Sequence, residues 1–255
     1  MKIYFLIDLS LSICWEKYVQ MIPYMVELMV SSLKNSLCKG VDQIKIYFFH
    51  GEYKGFVESI GAWDLSKEYL SIIDSVFEYL TKRGYKCGEW SPLVKALTRV
   101  VDDAEPSSLI IIISDFAANT KVKESEVTNL IGKIEEKNIV LVLVPLYREN
   151  IESKEMKLLF NKILKSRIEK SIVSREDENR VQNIINNMKS TLDLVNIANI
   201  LDLPLIPIFN ELATIKQQCY RNNYFDHECC REKLNTLQSY VQQRLNRICK
   251  IFTNA

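Results

Sequence analysis

Apolar residues recur along this chain in two rhythms: short continuous runs, and longer stretches at three-and-four spacing. The clearest run is Ile3-Tyr4-Phe5-Leu6-Ile7, which is β-branched and aromatic and predicts a strand buried on both faces of a sheet. It ends abruptly in Asp8-Leu9-Ser10-Leu11-Ser12. Runs from Ile44 to Phe49, Leu109 to Ile113, Ile139 to Val144 and Leu205 to Phe209 predict further strands. The stretch Tyr53 to Ile60 follows the turn His50-Gly51-Glu52 and reads as an antiparallel partner at a sheet edge, with His50 a turn residue.

Between the runs the spacing is helical. Trp15 to Leu37 predicts a helix that Pro23 either kinks or delays, stopped by Cys38-Lys39-Gly40 with Gly40 as a left-handed cap. Leu65 to Leu80 follows, capped by Asp64 or Ser66, and Ser91-Pro92-Leu93 opens the next helix with Ser91 as N-cap and Pro92 in the first turn. Ser125 to Glu136 and a stretch through Leu192, Val195, Ile197 and Ala198 complete the set. This order of elements predicts an α/β fold, a doubly wound and mostly parallel sheet with one antiparallel edge strand, over residues 1–210.

Two regions exceed what such a sheet needs. Glu149 to Asn187 is charged and helical with no strand inside it, as a helical insertion would be. Residues 211–255 read as a C-terminal helical extension, with an apolar stripe at Leu234, Leu237, Val241, Leu245, Ile248 and Phe252. That stripe either packs on the chain's own sheet or receives a partner helix.

Composition narrows the setting. A chain of 255 residues with a formal net charge of +1 carries no electrostatic footprint for nucleic acid or an anionic membrane, so neither is an expected partner. No signal peptide or spanning segment is evident, and seven cysteines without framework spacing predict reduced thiols and a cytoplasmic location. Cys219, His227, Cys229 and Cys230 read either as a zinc site or as thiols packed on a helix. Cys14 and Cys87 flank the strand-tip residues, but no histidine is spaced to make either a nucleophile.

The candidate chemistry lies at the strand tips. Asp8, Ser10 and Ser12 follow the first strand, Asp115 follows Leu109 to Ile113 through Ser114, and open α/β sheets collect ligands at such ends. Asp and Ser also excel at capping and turns, so a purely local role competes with a ligand site.

Asp8-x-Ser10-x-Ser12, Ser91-Pro92-Leu93 ahead of Ala96-Leu97, and Ser114-Asp115, in this order, resemble the metal-ion-dependent adhesion site of von Willebrand factor A domains. The resemblance covers roughly Lys2 to Phe209, with Glu149 to Asn187 outside it. It implies that Asp8, Ser10, Ser12, Ser91 and Asp115 hold Mg²⁺ or Mn²⁺, and that a partner protein supplies an Asp or Glu to the open position. Such hard oxygen donors suit a small dication that keeps several waters. The chain departs from the family pattern at Gly88-Glu89-Trp90-Ser91 and at Phe116, which stands where a glycine commonly follows the Asp. Glu89, Trp90 and Phe116 then border the site; Glu89 is placed to fill the free metal position, and the two aromatics either pack locally or meet the partner. The expected function is a metal-dependent protein–protein interaction module, an adaptor serving an AAA+ ATPase or a multi-protein assembly. The alternative is a Mg²⁺-dependent phosphoesterase or nuclease using Asp8 and Asp115.

Overall fold

The structure is a computed structural model that describes residues 1–36, 41–51, 56–65, 68–151, 153–221 and 224–253. Five strands form the main sheet: β1 (Lys2–Asp8), β2 (Gln43–His50), β3 (Phe56–Asp64), β4 (Leu109–Ser114) and β5 (Val140–Pro145). Their order is β3-β2-β1-β4-β5. β1 is central and runs parallel to β2 and β4, β5 runs parallel to β4, and β3 is the antiparallel edge strand. This is the doubly wound, mostly parallel sheet that the pattern predicts.

Alternate residues of β1 feed two cores. Ile3, Phe5 and Ile7 join one, Tyr4 and Leu6 the other, which is why the strand reads as an unbroken apolar run. The first face is covered by α2 (Ile22–Lys34), α3 (Tyr69–Lys82), α9 (Phe209–Cys219), α10 (His227–Asn235) and α11 (Gln238–Thr253). The second is covered by α4 (Leu93–Asp103), α5 (Glu124–Glu136), α6 (Lys154–Glu169), α7 (Arg175–Asn187) and α8 (Thr191–Ile200). A short helix α1 (Leu11–Trp15) follows β1, and a two-residue hairpin, β6 (Tyr220–Arg221) with β7 (Tyr224–Phe225), links α9 to α10.

Several expectations change in detail. Pro23 sits in the first turn of α2, so it delays the helix rather than kinking it. Leu205 to Phe209 is not a strand. Pro207 has no N–H to donate, and only Leu205 bridges Leu143 before Phe209 starts α9. The long C-terminal stretch breaks into separate helices, and Leu234, Val241, Leu245 and Ile248 are buried in the same core as α2, so the stripe is occupied by its own chain. The insertion is equally integrated, with Met156, Leu159, Phe160, Val181 and Ile185 buried beside residues of α4 and α5. Cys38 to Gly40, Glu52 to Lys54 and Ser66 lie outside the described residues, as does the side chain of Phe252.

The cysteines correct a further expectation. Cys14 pairs with Cys87 and Cys219 with Cys229, Cys249 is also disulfide-bonded, and Cys230 is a buried free thiol. Cys219 and Cys229 are thereby removed as zinc ligands, and the thiols are not uniformly reduced.

Candidate functional site

Parallel register puts the C-terminal ends of β1 and β4 side by side, since Ile7 pairs with Ile113. Asp8 therefore meets Ser114. Its Oδ2 accepts hydrogen bonds from Ser114 Oγ (2.7 Å) and Ser91 Oγ (2.9 Å), while Oδ1 accepts from Ser10 N (2.7 Å). Ser10 Oγ lies 3.0 Å from Ser12 Oγ, which extends the chain of hydroxyls outward. Burial, and after it the charge of Asp115, pushes the Asp8 carboxyl up to about 7, against which these hydrogen bonds act.

Ser91 is drawn into the site by chemistry other than the capping its sequence position suggests. Pro92, not Ser91, occupies the N-cap of α4, and the Ser91 hydroxyl turns to Asp8. The N-terminal N–H groups of α4 still need an acceptor. Glu155 of α6 provides one, with Oε1 accepting from Val94 N at 2.5 Å and Oε2 from Thr120 Oγ1 at 2.7 Å. Burial raises the Glu155 carboxyl above its ordinary range. Asn119 Oδ1 accepts from Ser91 N at 2.9 Å and fixes the backbone of Ser91 itself.

The loop that carries Ser91 is pinned to the loop that carries Ser10. Gly88 N donates to Leu9 O (2.9 Å), and the Cys14–Cys87 disulfide joins α1 to the same segment. Trp90 bridges Gly51 through Gly51 N to Trp90 O at 2.6 Å. A Cβ on Gly51 would stand 2.2 Å from the Trp90 Cβ, so this close approach of backbones demands glycine.

Asp115 completes the set. It is 1% exposed; Oδ1 accepts from Ala117 N (3.0 Å), and Oδ2 pairs with Arg148 Nη1 at 2.8 Å. Asp8, Ser10, Ser12 and Ser91 are thus linked by hydrogen bonds at the C-terminal end of the sheet, and Asp115 lies near enough for its charge to act on Asp8, while three of their partners were given no role from the sequence. Ser114 and Arg148 each sit at or just past a strand tip, which was the signal available for both; Glu155 was hidden in a charged helical stretch that resembles a solvated face.

The expected rim is only partly realised. Glu89 is exposed, and Trp90 is 45% exposed. Phe116 is not on the rim: it is buried in the second core, because its backbone turns through φ 56° and points the ring inward. Trp15, at the end of α1, is 73% exposed and adds an aromatic on this side that the sequence reading did not select. Arg148, which the sequence reading did not select, meets Asp115.

The donor set fits a small hard dication. It offers two carboxylates and serine hydroxyls, the hard oxygen donors that such an ion takes. The fold and these strand-tip residues define the class: a doubly wound α/β domain with a polar site at the carboxyl end of its central strands.

No protein-family model matches the chain, and no curated protein does. Solved structures that resemble it include the manganese-loaded Plasmodium vivax TRAP protein, at 16% identity and TM-score 0.45, covering 64% of this chain and 62% of that one. A von Willebrand factor type A structure from Catenulispora acidiphila is similar at 11% identity and TM-score 0.46, over 62% of this chain and 35% of that one. The conserved hypothetical protein BatB from Bacteroides thetaiotaomicron is similar at 13% identity and TM-score 0.48, over 98% and 99% of the two chains. This chain spans less than two thirds of the first two. The fold described above rests on strand order and register rather than on these likenesses.

Proposed function

We propose that this chain is a protein-interaction module whose docking surface is the C-terminal end of the sheet. Asp8, Ser10, Ser12, Ser91 and Asp115 would hold Mg²⁺ or Mn²⁺ there, and an Asp or Glu of the partner would complete the shell. The cation would supply an electrophilic centre for that carboxylate, and the hydroxyls and carboxylates of the chain would hold it. The observation that carries the reading is the convergence on Asp8 of hydroxyls from two distant segments, Ser91 and Ser114, together with the backbone N–H of Ser10. Exposed Trp15, at the end of α1, and Trp90, on the loop that the Cys14–Cys87 disulfide ties to that helix, supply the large rigid side chains that interfaces favour. The same disulfides suit an oxidising compartment better than the cytoplasm, and among the described residues no helix is long and apolar enough to cross a membrane.

Calorimetry tests the reading. One Mn²⁺ or Mg²⁺ should bind per chain, and Asp8→Ala should abolish binding while circular dichroism shows the fold retained. Equal binding by Asp8→Ala and the natural chain would refute the assignment.

A further inference from the structure

The ion pair between Asp115 and Arg148 sits inside the proposed donor set, and the inference drawn from it rests on that reading. Both oxygens of Asp115 are already engaged, Oδ1 by Ala117 N and Oδ2 by the guanidinium. A buried carboxylate without a counter-charge is strongly disfavoured, and Arg148 supplies that charge from within the chain. A dication drawing on Asp115 meets a second positive group on the same oxygen.

The backbone of Arg148 is tied at both of its polar groups. Its N–H donates to Thr191 Oγ1 (2.8 Å) and its carbonyl accepts from Thr191 N (3.1 Å), at the start of a helix held by the Ser190–Asp193 capping box. The side chain is different: it is 28% exposed, long, and has a route to solvent at the rim. We propose that Arg148 is a built-in cation that holds Asp115 and is displaced when a divalent metal enters. It thereby lowers the affinity of the site for metal and, once released, adds a guanidinium to the docking rim.

Charge makes the consequence definite. Two carboxylates and a dication are formally neutral together, whereas with the guanidinium beside them the loaded site carries one net positive charge. Arg148 therefore biases the rim toward an anionic side chain.

Mn²⁺ titration of the natural chain, Arg148→Gln and Arg148→Lys at one ionic strength tests this. Arg148→Gln should bind on the order of tenfold more tightly, the scale of one charge-assisted hydrogen bond to a buried carboxylate. Arg148→Lys should fall between, because the ammonium keeps the charge without the planar fork. Thermal melting gives a second readout: metal-free Arg148→Gln should melt below the natural chain, and Mn²⁺ should raise its midpoint by more. Unchanged or weaker binding by a folded Arg148→Gln, with the natural chain still binding, would overturn the inference and leave the metal reading intact. Absence of both heat and thermal shift in every protein would overturn the metal reading, and the inference with it. Should Arg148→Gln fail to fold, Arg148→Lys decides, since tighter binding supports displacement and equal or weaker binding overturns it.

Discussion

Phe116 shows how one residue trades backbone comfort for burial. At φ 56° a side chain is disfavoured by about 1 kcal/mol relative to glycine, yet the ring is buried in the second core, where truncation to Ala costs about 3–5 kcal/mol. Burial outweighs strain. Phe116→Ala should lose about that much in urea unfolding, and Phe116→Gly should be no less stable than Phe116→Ala because it recovers the backbone term. A glycine variant clearly less stable than the alanine variant would contradict this account of the left-handed turn. Glu155 gives a second test at this scale. Its folded-state carboxyl titrates above its ordinary value of 4.5, so the folded chain holds the proton more tightly than the unfolded chain does. Stability attributable to Glu155 is therefore greatest below that value and declines as pH rises from 4.5 through the raised value. The stability difference between the natural chain and Glu155→Gln should shrink or reverse over that window, and a difference constant with pH would refute the burial assigned to it. Neither effect was drawn from the sequence: Phe116 read as a rim aromatic, although the glycine common at its place in the resembled family hinted at a left-handed backbone, and Glu155 lay unselected in a charged helical stretch.

At the level of elements, the sequence showed most of what positions the site. The β1 and β4 runs are apolar because both of their faces are covered, so their tips, and hence Asp8 and Asp115, could be located from hydrophobicity alone. What could not be read were contacts between elements distant along the chain. The Cys14–Cys87 disulfide closes a separation of 73 residues, and connectivity among seven cysteines does not follow from spacing. Arg148 reaches Asp115 only because β5 lies beside β4. The disulfide clamps α1 to the segment before Ser91, which leads to a prediction about the loops. Replacing Cys14 and Cys87 together by Ser should cost about 4 kcal/mol on the loop-entropy argument and weaken Mn²⁺ binding by loosening Ser10 and Ser12 against Ser91. Unaltered metal affinity in a destabilised double variant would confine the disulfide to a stability role.

On the scale of the whole molecule, the two cores divide the labour. One unites α2 and α3 with the C-terminal helices, the other unites α4 with the inserted helices α6 and α7, and the site lies where β1 and β4, shared by both, come to an end. The sequence pattern identified the extra helices but not that their apolar faces belong to these cores, since amphipathicity does not name what a stripe packs against. With its helices covered, the molecule presents Trp15 and Trp90 near the polar centre. Trp90→Ala should weaken partner binding by about 2 kcal/mol or more while leaving Mn²⁺ affinity unchanged, a split that separates the rim from the metal. Loss of both together would place Trp90 among the supports of the site. The most direct measurement of the central claim is anomalous diffraction from crystals grown with Mn²⁺. The account predicts one strong peak among Asp8, Ser10, Ser12, Ser91 and Asp115, absent in Asp8→Ala crystals; a map with no peak there, or a peak that survives the substitution, would contradict it.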